Sequence, residues 1–341
     1  MKEILEKLIV GEHLTDAEAE HVMDQIMGGE ATPAQIASFL TAMRVKGETV
    51  EEITGLVRSM RKHATPVVSG VEGILDTCGT GGSGISKFNI STASAFVTAS
   101  AGVPIAKHGN RAMSGKSGSA DVLQALNVNI ELTAEQAKDC LENAGICFMF
   151  APLYHQSMKH AVGPRRELGF KTVFNILGPL TNPAGAKRQV IGVFSAALLE
   201  KIARVLQALG AEHVMVVHGS DGLDEITVTG PTQVAELRGG QLDVYEIHPE
   251  DFGLQVYHPE DLIGGTPDKN ADIIRRVLQG EKGAARDIVV LNSAASLYVA
   301  GKADSIRDGV VMAQNLIDSR LALGTLQRLI EVSNRFVREL A

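Results

Sequence analysis

The chain has 341 residues, 45% hydrophobic and 21% charged, which excludes a disordered or low-complexity protein and allows a sizeable core. Its 32 Lys plus Arg against 40 Asp plus Glu leave a formal net charge of −8, the wrong sign for general binding of nucleic acid. At roughly 150 residues per domain the length suggests two domains, or one large domain with an appendage.

The first 65 residues read as short amphipathic helices. Ile4, Leu5, Leu8 and Ile9 share a face. So do Val22, Met23, Ile26 and Met27, then Ile36, Phe39, Leu40 and Met43, then Ile53, Leu56, Val57 and Met60. Thr15 with Glu18 and Thr49 with Glu52 have capping-box spacing, and Thr32 precedes Pro33 as an N-cap precedes a first-turn proline. From about residue 70 strand-like runs alternate with helical ones. Strands are expected over 74–78, 103–106, 190–194, 214–217 and 288–291, with helices over 133–144, 197–209 and 271–278 between them. Short strands are also expected over 226–228, 233–237 and 242–247. The pattern predicts an α/β protein: a small all-helical N-terminal domain over 1–66, joined by part of 155–185, and a larger α/β domain over 70–341 with a mainly parallel central sheet. The first 14 residues lack the basic start and apolar stretch of a signal peptide. No apolar run approaches the roughly 20 residues of a membrane helix. Cys78, Cys140 and Cys147 are an odd set without metal-type spacing. These features suggest a cytoplasmic protein with no membrane partner.

Between Asp76 and Asp121 no acid occurs over 77–120, where the chain average would place about five. The same window holds Lys87, Lys107, Arg111 and Lys116, so an acidic chain has left cations in a stretch cleared of carboxylates, as a local anion site requires. Glycines at 79, 81, 82 and 84 follow the first predicted strand, and such a loop can curl backbone N–H groups around phosphate oxygens. Asn89, Ile90, Ser91 and Thr92 then open a small-residue helix predicted over 93–101, whose start also favours an anion. A second loop, Lys107, His108, Gly109, Asn110 and Arg111, followed by Ser114, Lys116, Ser117 and Ser119, comes after the next predicted strand, so both loops can lie on the C-terminal edge of a parallel sheet. The first loop matches G-x-G-x-x-G, but no acid follows about 20 positions later and no Walker lysine occurs, which argues against a dinucleotide site. Asp224 and Glu225 follow the strand predicted over 214–217. Carboxylates facing a pyrophosphate suit a bridging Mg²⁺; a solvated turn with capping acids is the plainer alternative. Arg165, beyond Pro152, His155, Lys159 and His160, could anchor an acidic second substrate bidentately or form a structural salt bridge.

Residues 79–82, 89–92, 107–111 with 117–121, 175–183 and 221–225 together resemble the anthranilate phosphoribosyltransferase family, in order and spacing and over nearly the whole length. The resemblance implies a nucleoside phosphorylase/phosphoribosyltransferase-like fold and a homodimer formed largely through the helical domain. It also implies transfer of the phosphoribosyl group of 5-phosphoribosyl 1-diphosphate (PRPP) to the amine of anthranilate, in tryptophan biosynthesis. By that resemblance Gly79, Gly82, Asn89, Ser91, Thr92, Lys107 and Ser119 would contact PRPP. Ser83, Lys87, Ile90, His108, Gly109, Asn110, Arg111, Ser114 and Gly115 lie in the same loops. Ser91, Asp224 and Glu225 would ligate Mg²⁺, and Gly79, His108, Asn110 and Arg165 would meet anthranilate. No acid, base or nucleophile is implied. Three positions depart from the family pattern: Ser83 stands for the usual Asp, Lys87 for Thr or Ser, and Gly115 for Ser. Ser83 removes a partner for the metal or the ribose, and Lys87 adds a cation beside the diphosphate. A pyrimidine nucleoside phosphorylase, or a non-catalytic paralogue that senses a phosphosugar, are the competing readings.

Overall fold

A computed structural model of the chain describes residues 1–81, 87–112 and 115–338. Four helices open it: α1 (Lys2–Ile9), α2 (Asp16–Met27), α3 (Pro33–Lys46) and α4 (Val50–His63). Thr15, Thr32 and Thr49 each accept a bond from the backbone N–H three residues on, and Glu18, Gln35 and Glu52 return one, so the expected starts are real capping boxes. The apolar faces read from the sequence are buried in α2, α3 and α4, Val22, Ile26, Phe39, Met43, Ile53 and Leu56 completely, whereas on α1 Ile4 and Leu8 are buried and Ile9 is exposed. α2 and α4 pack backbone to backbone at Gly55, where a Cβ would fall 2.0 Å from the Asp16 carbonyl oxygen.

This helical core does not close on itself. It continues into Ala161, Phe174 and Leu177 and onto the sheet through Ile191, Val214 and Val216. Four short helices are too small to bury their faces alone, and the larger unit supplies the rest.

That unit begins with β1 (Leu75–Gly79), α5 (Ile90–Ser100), β2 (Ile105–Gly109), α6 (Ser119–Ala125), α7 (Ala134–Ala144) and β3 (Ile146–Phe150). The chain then passes through three short helical pieces, α8 (Ala151–Tyr154), α9 (Lys159–Leu168) and α10 (Phe174–Leu177). It returns as β4 (Arg188–Gly192), α11 (Leu199–Ala208), β5 (His213–Gly219) and the antiparallel pair β6 (Thr232–Arg238) and β7 (Gln241–Ile247). Helices α12 (Pro267–Leu278), α13 (Ala284–Val299), α14 (Ile306–Asp318) and α15 (Leu321–Arg338) close it. The seven strands order as β3-β2-β1-β4-β5-β6-β7, the first five mutually parallel. The chain adds β2 and β3 on one side of β1 and β4 onward on the other, so the strand order reverses at β1. The crevice outside its C-terminal end is where open parallel sheets bind ligands.

Three expectations need correction. Residues 288–291 are not a strand but lie inside α13. The β-branched run Ile288, Val289, Val290 reads as a strand because α13 is buried on nearly all sides and so carries no 3.6-residue period. Residues 226–228 form no strand; Asn292 ties them down instead, accepting from the Ile226 N–H at 3.0 Å and donating to its carbonyl at 2.7 Å. β3 was missed, because Cys147, Phe148 and Met149 give no alternation.

Candidate active site

The first loop leaves the sheet at Gly79, whose Cα pairs with Gly192 of β4. Both positions must be glycine. A Cβ on Gly79 would lie 2.4 Å from Asp224 Oδ2, and one on Gly192 would lie 1.8 Å from the Asp224 carbonyl oxygen. The tight approach brings the segment after β5 against the first loop. The Gly81 N–H donates to Asp224 Oδ2 at 2.8 Å.

α5 starts beside this loop. Its N-cap, Asn89, does not cap it. The Asn89 side chain instead donates to the Ser117 carbonyl at 3.2 Å and accepts from Ser117 Oγ at 3.1 Å and Asn270 Nδ2 at 3.0 Å. The first N–H groups of α5 thus receive no bond from the cap residue, as suits an anion-binding helix start. Thr92 is buried, and among the described residues its Oγ1 has no partner. Ile90, by contrast, is buried in the core.

β2 delivers Lys107 and His108. Lys107 Nζ donates to the Thr77 carbonyl and to Ser91 Oγ, the latter at 3.2 Å. Asp76 is its electrostatic neighbour. Burial pushes the Lys107 ammonium down and the Asp76 carboxyl up, each against the other's pull. Asp76 was not foreseen as a site residue, although it closes the acid-free window. Its Oδ2 accepts from Asn182 Nδ2 at 2.7 Å and its Oδ1 from the His108 N–H at 3.3 Å. The segment over 175–183, also singled out without a role, thereby supplies the clamp that fixes β1 to β2. The His108 ring lies 5.0 Å from that of His155. Burial above all, then the second ring, lowers His108 to about 3, and burial lowers His155 to about 4, so both are neutral at pH 7. Each has a buried Nε2 with no partner among the described residues.

Past β2 the second loop turns sharply. A Cβ on Gly109 would meet Ser119 Oγ at 2.2 Å, and Ser119 Oγ donates to the Asn110 carbonyl at 3.3 Å. Arg111 is turned outward, bonded to Asp121 Oδ1 at 2.9 Å with its guanidinium 5.4 Å from the Phe150 ring centre. Gly115 and Lys116 are exposed. Gly82, Ser83 and Ser114 lie outside the described residues. Arg165, on α9, is half-buried and stacks 5.0 Å from the Phe174 ring centre. Its guanidinium is lowered by burial, with no acid acting on it.

The feature least legible in the sequence is Lys87. Its Nζ lies 2.7 Å from Asp224 Oδ1 and 3.3 Å from Glu225 Oε1. Burial alone would lower the Lys87 ammonium, but Asp224 and Glu225 outweigh it and hold it above its usual value. Burial raises the Glu225 carboxyl, with Lys87 pulling the other way. Thus the chain brings residues 79–81, 87, 89–92, 107–109 and 224–225 to one edge of the sheet. A separate cavity of about 370 Å³ lies near Glu200 and Glu246, and two glutamates in its lining make it the wrong place for an anion.

The fold recurs in known proteins. Residues 71–323 match the α/β domain of a glycosyl transferase family, and residues 2–64 match the helical bundle domain of a glycosyl transferase family. The chain is 55% identical to the anthranilate phosphoribosyltransferase of Acetivibrio thermocellus, covering 99% of this chain and 98% of the relative. It is 54% identical to that of Rubrobacter xylanophilus, with 98% of each covered. Among solved structures, anthranilate phosphoribosyltransferase from Thermus thermophilus superposes with a TM-score of 0.93 at 42% identity, over 97% of this chain and 99% of that one. The Saccharomyces cerevisiae enzyme in complex with PRPP and Mg superposes with a TM-score of 0.89 at 26% identity, over 97% of both chains.

Proposed function

Since the chain belongs to the anthranilate phosphoribosyltransferase family, we infer that it transfers the phosphoribosyl group of PRPP to the amine of anthranilate, releasing pyrophosphate. The observation that carries this reading is the meeting of the glycine loop, the uncapped start of α5 and Lys107 at the C-terminal end of β1. The start of α5, the Thr92 hydroxyl that has no partner among the described residues and Lys107 suit the donor's phosphates, with Asn89 and Ser119 holding the loops that frame them. Arg165 suits the carboxylate of anthranilate, since no acid neutralises it among the described residues. Neutral His108, with Gly79 and Asn110, suits the aromatic ring and its amine.

The amine of anthranilate is uncharged at pH 7 and needs no base to become a nucleophile. Its lone pair forms the N–C1 bond as the C1–O bond to the diphosphate breaks, with inversion at C1. The electron pair leaves with pyrophosphate, and the proton on nitrogen passes to solvent. The chain's part is to hold the two substrates in line and to donate hydrogen bonds to the departing oxygens.

We carry Mg²⁺ over as the counter-ion of the donor's diphosphate. Ser91, Asp224 and Glu225 are the hard oxygens expected to hold it at the protein. As arranged they do not fit a protein-held ion, because Lys87 engages both carboxylates and Lys107 donates to Ser91 Oγ. Mg²⁺ can reach that pair only by displacing Lys87.

A homodimer built through the helical unit, residues 1–66 with part of 155–185, is proposed on the exposure of Ile9, Val10 and Val45 there. No helix among the described residues is long and apolar enough to cross a membrane, which is compatible with the proposed cytoplasmic location. The reaction is tested by following the native fluorescence of anthranilate; the chain has no Trp to interfere. Signal loss that requires PRPP supports the transferase. Donor binding with no anthranilate consumption would refute it and leave a sensor.

A further inference from the structure

The carboxylates of Asp224 and Glu225 have only 4% and 10% of their side-chain surface exposed, and the Lys87 side chain 16%. An ammonium so placed is no surface ion pair. Its backbone is also fixed. Lys87 forms an antiparallel bridge with Ile263, and a Cβ on Gly264 would meet the Lys87 carbonyl carbon at 2.5 Å. Phe88 next to it is 1% exposed. Asp224 is held from the other side, since its Oδ2 accepts the Gly81 N–H while Oδ1 takes Lys87. The Lys87 nitrogen thus sits between the two carboxylates, on one oxygen of each.

We propose that Lys87 is the resident cation of this site: its ammonium replaces a protein-held Mg²⁺ on Asp224 and Glu225 and offers its remaining N–H to the diphosphate of PRPP. An ammonium has three donors, two are spent on the carboxylates, and the third has no partner among the described residues and can serve an anion at the start of α5. The inference rests on PRPP being the ligand of the cleft. It deepens that reading by making donor binding independent of a metal at the carboxylates.

The test is isothermal titration of PRPP into the intact chain and into Lys87→Thr, each in EDTA and in Mg²⁺ at matched ionic strength. EDTA also strips the donor's own Mg²⁺, so the comparison is between the two proteins: chelation should cost Lys87→Thr about tenfold or more affinity beyond what it costs the wild type. Mg²⁺ alone, without PRPP, should raise the melting midpoint of Lys87→Thr and leave that of the wild type unchanged. A wild type whose melting midpoint rises with Mg²⁺ alone overturns the inference. So does a variant that needs Mg²⁺ no more than its parent. If Lys87→Thr does not fold, the wild-type melting midpoint with and without Mg²⁺ decides alone. Failure of the folded wild type to bind PRPP in either buffer would instead overturn the transferase reading, and this inference with it.

Discussion

Gly79→Ala isolates the contact on which the site's assembly rests. The new Cβ would stand 2.4 Å from Asp224 Oδ2, and ordinary contact begins at 3.4 Å, so the carboxylate must retreat by about 1 Å. It cannot do so and keep the Gly81 N–H, now at 2.8 Å, within hydrogen-bond range. The loss is one charge-assisted bond, about 1.5–3 kcal/mol, together with a weakened hold on Lys87. We expect a lower melting temperature and kcat/KM for PRPP reduced by roughly 10- to 100-fold, read by thermal denaturation and by anthranilate fluorescence at varied donor. Asp224→Ala removes the clashing oxygen, so in that background Gly79→Ala should cost little more, and the double-mutant cycle measures the coupling. Gly163→Ala on α9, where the Cβ would meet nothing within 4 Å, serves as the control and should be neutral or mildly stabilising. A Gly79→Ala protein with wild-type donor KM and melting temperature would refute the reasoning, as would full additivity with Asp224→Ala.

Two further outcomes follow from the same geometry. Arg165→Ala should raise the KM for anthranilate by about 10-fold or more, the worth of a charge-assisted bond to a carboxylate, while the donor KM moves by less than about threefold. Steady-state kinetics with each substrate varied will show the split, and the reverse pattern would remove Arg165 from the acceptor side. His108 and His155 have folded pKa values depressed to about 3 and about 4, below the unfolded value near 6.5. Their contribution to stability is therefore complete above about pH 6.5 and is lost as pH falls, at up to about 1.4 kcal/mol per pH unit per histidine, until each protonates in the fold. Urea denaturation between pH 7 and 4 should show a shallower decline for His155→Gln than for the wild type; parallel curves would mean that the ring is not buried neutral.

The N-terminal helices were readable because their signals are local: three Thr N-caps, each with its Glu or Gln three residues later, and apolar residues at helical spacing. The sheet was readable where apolar runs end in glycine, as at Gly79, Gly192 and Gly219. It was not readable where a helix is buried all round, as α13 is, or where a strand such as β3 has a single β-branched residue, Ile146. At the site, the loops were placed correctly at the end of β1 and β2, because glycines and helix starts act through their own backbone. Partnerships were not. Lys87 and Asp224 are 137 residues apart, and nothing in the spacing of either announces the other. The sequence shows no cation beside the carboxylates, which is why it points to a divalent ion or a solvated turn; the amine that meets them comes from the segment between β1 and α5.

The cleared window thereby acquires a different physical meaning. It does not form a bare basic patch. Lys87 is matched by Asp224 and Glu225, Lys107 by Asp76, and Arg111 by Asp121, each acid lying outside the stretch that holds the cation. Had the acids been local, each cation would be satisfied within its own loop and would carry no information about the other loops. Because the acids come from β1, from the start of α6 and from the turn after β5, each ion pair ties two segments of the sheet edge together and also fixes an ammonium there. Arg111 is the exception that separates the two roles. Its acid is at hand, its ring partner Phe150 draws it outward, and it braces the second loop rather than facing the cleft. Lys87 and Lys107 keep buried nitrogens at the end of β1, and an incoming diphosphate need only add itself to pairs that are already assembled. Such a site gives up part of the attraction of an unpaired lysine in exchange for a fixed geometry, and fixed donors are what stabilise the charge that develops on a leaving pyrophosphate.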